Sequence, residues 1–124
     1  MNELVLVQMR KVSASLAVFD IQGEVTASAE MVFMDTLRLA TENGVKDILL
    51  NFSGLKYMNS AGIGLMVSMI MQCSRNQQRL MANGLNEHYQ HIFRYTRLHE
   101  SIRIFDSEAE VLSALGQPFP LLAS

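Results

Sequence analysis

The chain has no tryptophan, one cysteine and two prolines in 124 residues. A lone cysteine, Cys73, cannot form an intramolecular disulfide framework, and it fits a reducing compartment. Both prolines fall in the C-terminal QPFPLLAS, which has no period; residues 1–116 are therefore expected to form one domain and 117–124 a loosely ordered tail. Net charge is also scarce, at −2, which removes the electrostatic reason to expect nucleic acid or an acidic membrane. Long apolar runs are missing. The longest, around Gly62 to Met71, falls well short of the roughly 20 residues that span a bilayer. The N-terminal MNELVLVQMRK has neither the basic start nor the apolar core of a secretory signal. These absences predict a soluble, cytoplasmic protein.

Apolar residues make up 49% of the sequence and charged ones 18%, a globular composition. A domain of this length buries roughly two-thirds of its unfolded surface. Alternation from Leu4 to Met9 predicts a first strand, and Leu16 to Ile21, closed by Gly23, a second. Thr26 or Ser28 is placed to cap a helix through Ala29, Phe33, Leu37 and Ala40, ended by Asn43-Gly44. Val45 to Phe52 (VKDILLNF) is a short apolar run, the mark of a strand buried on both faces. A loop, SGLKYMN, then leads to a helix from about Ser60 to Gln77. A fourth strand (Arg79 to Ala82), a helix (Glu87 to Arg97), a fifth strand (Ile102 to Phe105) and a last helix capped by Asp106 or Ser107 complete the chain. Strands alternating with single helices predict an α/β fold with right-handed crossovers. The expected architecture is a mixed sheet of about five strands, the first two a hairpin, with four helices packed mainly on one face.

Little of the polar inventory assembles into a catalytic pattern. His88, His91 and His99 all lie in the C-terminal third, and no G-x-S-x-G elbow surrounds Ser60. His88 and His91 lack HExxH spacing or a cysteine pair, so no metal site is expected. Gly62-Ile63-Gly64 lacks the third glycine of a dinucleotide loop, Val67 standing there, and no GK[ST] follows. Arg94, Arg97 and Arg103 read as solvated surface. No cofactor is expected.

The distinctive stretch is Asn59-Ser60 at the mouth of an apolar helix. Either residue could accept a bond from the free backbone N–H groups there, worth about 1 kcal/mol. The same N–H groups and the helix dipole favour an added phosphate, which would change the surface by roughly −2 charges. On a helical wheel Ile63, Met66, Val67 and Ile70 share the sector expected to face the sheet. Leu65, Met69 and Cys73 form a second sector, either buried against a neighbouring helix or exposed to a partner.

The stretch VKDILLNFSGLKYMNSAGIGLMVSMI resembles the core of STAS domains of the anti-sigma factor antagonist type. FDIQGEVTASAE and HIFRYTRLHESIRIFDSEAEVLSAL are similar to that family's flanking segments, so the likeness covers nearly the whole chain. The resemblance implies a single STAS-like domain acting as a non-catalytic partner switch. It would bind an anti-sigma factor serine kinase when unphosphorylated, be released by phosphorylation at Ser60, and be reset by a phosphatase. The implied partner surface takes in Gly23, Glu24, Thr26, Tyr57, Met58, Asn59, Ser60, Gly62, Leu65 and Met69, on a monomer or weak dimer. Asn59 stands where the family usually has aspartate, and Thr26 where it often has another acid. The alternative is a constitutive scaffold or assembly subunit without phosphorylation control.

Overall fold

A computed structural model of the protein describes residues 4–116; the expected tail at 117–124 lies outside the described residues. Strands β1 (Leu6–Lys11) and β2 (Leu16–Val25) form an antiparallel hairpin. After a 3₁₀ turn at Ala27–Ala29 the order is α1 (Glu30–Glu42), β3 (Asp47–Met58), α2 (Ser60–Arg75), β4 (Arg79–Asn83) and α3 (Glu87–Tyr95). A second 3₁₀ turn at Leu98–Glu100, β5 (Arg103–Phe105) and α4 (Glu108–Ala114) follow. The sheet runs β1-β2-β3-β4-β5, with every pair after the hairpin parallel. This is the expected five-stranded mixed sheet with four helices.

Period-2 alternation of large apolar residues on the central strands makes two cores. Phe19, Ile21, Ile48, Leu50, Phe52 and Leu80 join Phe33, Leu37, Met66, Met69 and Phe93 in the larger one. It lies between the sheet and α1, α2 and α3. Leu16, Val18, Leu49 and Met81 point the other way, where α4 covers them with Val111, Leu112 and Leu115. Both faces of β2 to β4 are thus occupied, which is why those strands read as near-continuous apolar sequence.

Several boundaries differ from expectation, each for a local reason. Gly23 does not close β2; at φ +100° it sits inside the strand against the Leu4 carbonyl, beside a shift in register with β3. Such a kink needs a residue free to adopt positive φ. The expected loop SGLKYM is strand, because β3 stays paired with β2 as far as Met58. Neither Thr26 nor Ser28 caps a helix through its side chain; their hydroxyls bond to each other at 3.1 Å. Helix α3 stops at Tyr95, and Arg97 at φ 64° turns the chain. Ser107, one of the two residues offered as cap for the last helix, accepts from the Glu110 N–H.

Candidate functional site

The functional stretch stands where β2 and β3 end side by side. β4 accompanies β3 only from Asp47 to Asn51, so the outer half of β3 has β2 alone as its strand neighbour. At its tip the Met58 N–H donates to the buried Tyr89 hydroxyl at 2.9 Å, which ties α3 to this end of the sheet. One residue later the Asn59 N–H reaches the Val25 carbonyl at 3.3 Å. Gly62 fixes the next turn: a Cβ there would overlap the Val25 carbonyl oxygen and stand 2.7 Å from Met58 Cγ. The first turn of α2 therefore rests directly on the end of β2.

Asn59 is the helix cap. Its backbone is extended (φ −98°, ψ −174°), and its Oδ1 accepts from the Gly62 N–H at 3.0 Å while its carbonyl accepts from the Ile63 N–H. Ser60 is thereby relieved of capping. It is the first helical residue, exposed, and its hydroxyl has no hydrogen-bond partner among the described residues. The first turn of α2 contains no acid, so no side chain of the helix's own first turn offsets the positive end of its dipole beside that hydroxyl. None of the histidines bonds to Ser60. His91 pairs with Glu87 across one helical turn, His88 stacks edge-on to Tyr89, and His99 contacts the Phe93 carbonyl.

The other residues singled out from the sequence divide by burial. Tyr57 is 47% exposed, and Glu24, Thr26 and Asn59 are partly so. Gly23, Met58 and Gly62 are buried, and Leu65 and Met69 are 5% and 0% exposed, so these five present no side-chain surface in the folded protein. The wheel placed the helix a sector away from its true orientation. The buried face of α2 is Gly62, Leu65, Met66, Met69 and Cys73, while Ile63 and Ile70 are half-buried and Val67 is 44% exposed. Wheel counting scores side chains, and so it passed over Gly62, whose lack of one lets the backbone press on Val25. The exposed apolar surface of α2 that sequence reasoning missed is Val67 and Met71, the latter 53% exposed. Gly62, followed by apolar residues at +3, +4, +7 and +11, was the available signal.

The profile of the STAS domain matches residues 7–111. The chain belongs to the STAS domain family. Among curated relatives, the anti-sigma-B factor antagonist of Staphylococcus aureus (strain NCTC 8325 / PS 47) is 24% identical over 82 residues, 66% of this chain and 76% of the relative. The unphosphorylated form of the anti-sigma factor antagonist SpoIIAA superposes with a TM-score of 0.74 at 19% identity, over 92% of this chain and 100% of the other. The phosphorylated form of SpoIIAA, a Bacillus cell fate determinant, gives 0.69 at 20% identity, over 89% and 99%. At these identities the structural likeness establishes the STAS fold. The departure noted from the sequence has a structural counterpart: Asn59 occupies the cap position in this STAS domain and supplies an acceptor without a charge.

Proposed function

We propose that this STAS domain is a non-catalytic, cytoplasmic partner switch of the anti-sigma factor antagonist type, controlled by phosphorylation of Ser60. The observation that carries the reading is the division of labour between Asn59 and Ser60. Because Asn59 holds the Gly62 N–H, a phosphate can be placed on the unbonded Ser60 hydroxyl without dismantling the cap. The helix dipole favours the added charge. The partner, an anti-sigma factor serine kinase, docks over Tyr57, Ser60 and the exposed Val67–Met71 flank, with Glu24 and Thr26 at the margin. A phosphatase returns the domain to its binding state. Incubation with such a kinase and ATP, followed by mass spectrometry, is expected to place a phosphate on Ser60. Ser60→Asp is expected to lose the kinase while Ser60→Ala retains it. An unlabelled Ser60 overturns the switch.

The acid-free first turn of α2 favours a second reading, a constitutive scaffold, because a kinase that recognises a carboxylate immediately before the serine finds the Asn59 amide in its place. That reading predicts that Ser60→Ala and Ser60→Asp bind the partner alike.

A further inference from the structure

A recess lies at the opposite end of α2, roughly 20 Å from Ser60 by helical rise. β5 pairs only with Met81–Asn83, which leaves Arg79 and Leu80 of β4, paired with β3 on one side, with no strand on the other. A notch of about 450 Å³ opens at this edge between the last turn of α2, the Leu98–Glu100 turn and the end of α4. Its volume lies within the range of small-molecule sites. Ile70, Leu80 and Phe105 supply apolar wall, while Arg103, Ser74 and Ser101 supply polar groups.

Among the described residues lining the notch, one cation has no carboxylate partner. Arg79 also borders it, but its Nε is engaged by Asp47. Glu100, the acid at the rim, is held by two bonds from Arg97. Arg103 has no carboxylate partner among the described residues; its guanidinium lies 4.7 Å from the centre of the Phe105 ring. Stacking on a ring leaves the planar donor fork open to an oxyanion. The negative end of α2 is blunted as well, because the Gln72, Cys73 and Ser74 carbonyls accept from the Asn76, Gln78 and Gln77 N–H groups. The Ser74 and Ser101 hydroxyls have no partner among the described residues.

We infer that this notch binds a small organic oxyanion, a carboxylate or phosphate carried on an apolar body. The head pairs with Arg103 and the serine hydroxyls, and the body lies on Ile70, Leu80 and Phe105. The site is separate from Ser60 and stands or falls independently of the partner switch. Titration of the ¹⁵N-labelled protein with octanoate tests it, with octan-1-ol as the neutral counterpart and inorganic phosphate as the head alone. The expected result is saturable shifts of amides 79–81 and 101–105 with octanoate, and affinity about tenfold weaker for octan-1-ol and for phosphate. Arg103→Gln is expected to weaken octanoate about tenfold, while Arg94→Gln, on the exposed side of α3, leaves it unchanged. Octan-1-ol binding as tightly as octanoate, shifts that do not saturate, or equal losses in the two arginine variants would overturn it. The comparison of octanoate with its alcohol needs no variant, so a failure of Arg103→Gln to fold does not shield the proposal.

Discussion

Two glycines two residues apart in α2 meet opposite surroundings. A Cβ on Gly62 would overlap the Val25 carbonyl oxygen, whereas one on Gly64 meets nothing within 4 Å. Gly62→Ala should therefore cost about 1–3 kcal/mol through overpacking. Gly64→Ala should gain up to about 1 kcal/mol from helix propensity. Urea unfolding midpoints of the two variants, moving in opposite directions, are the check. Three residues before Gly62, Asn59→Ala should lose about 1 kcal/mol with the cap. Asn59→Asp keeps the acceptor and adds a charge at the positive helix end, so stability should rise by about 0.3–1 kcal/mol; thermal melts at low salt distinguish the pair. The helix start was legible at this scale because Asn and Ser are capping residues and the apolar run after them is periodic. Which of the two caps was not legible, since either side chain reaches the same N–H groups and only the extended backbone of Asn59 decides it.

Among the elements, β1 is an edge strand held by charge as well as by its ladder. Arg10 donates through Nε and a terminal nitrogen to Asp20 on β2, and to Glu108 at 2.8 Å on α4, so one side chain joins the hairpin to the last helix. The guanidinium is the main reason the Asp20 carboxyl is held below the usual carboxylate range; partial burial opposes it and the Asn51 amide assists. A folded-state value depressed in this way stabilises the protein above the unfolded aspartate value of about 3.9, and that stabilisation fades as pH falls through the folded value. Arg10→Gln is expected to be less stable than the parent at neutral pH. The gap should close as the solution is acidified below the ordinary aspartate range, as urea midpoints across a pH series would show. Element identity was readable because hydrophobic period and Asn-Gly punctuation act locally. Strand length was less so. The outer part of β3 (SGLKYM) has the composition of a loop and is strand only because β2 runs beside it, a pairing between residues some thirty positions apart in sequence.

Taken as a whole, the molecule keeps its single thiol out of reach. Cys73 is 1% exposed, and burial pushes its pKa up to about 12, so the reactive thiolate is scarce at neutral pH. Alkylation by iodoacetamide should be negligible in the native protein and rise in step with the urea transition; labelling that precedes the transition would reveal an opening near α2. The overall architecture was recoverable from sequence because strand and helix patterns alternate in order. The rotation of α2 about its axis was not, and with it went the choice of exposed surface, since that rotation is set by the meeting of Gly62 with Val25. The outer half of β3 gives the molecule a further property. From Phe52 to Met58 it is laddered on one side only, and its last amide is satisfied by the Tyr89 hydroxyl rather than by a strand. Amide exchange there should proceed through small openings that leave the central strands protected. Ser60 thus follows directly on a one-sided stretch of the sheet that is expected to open without unfolding the rest.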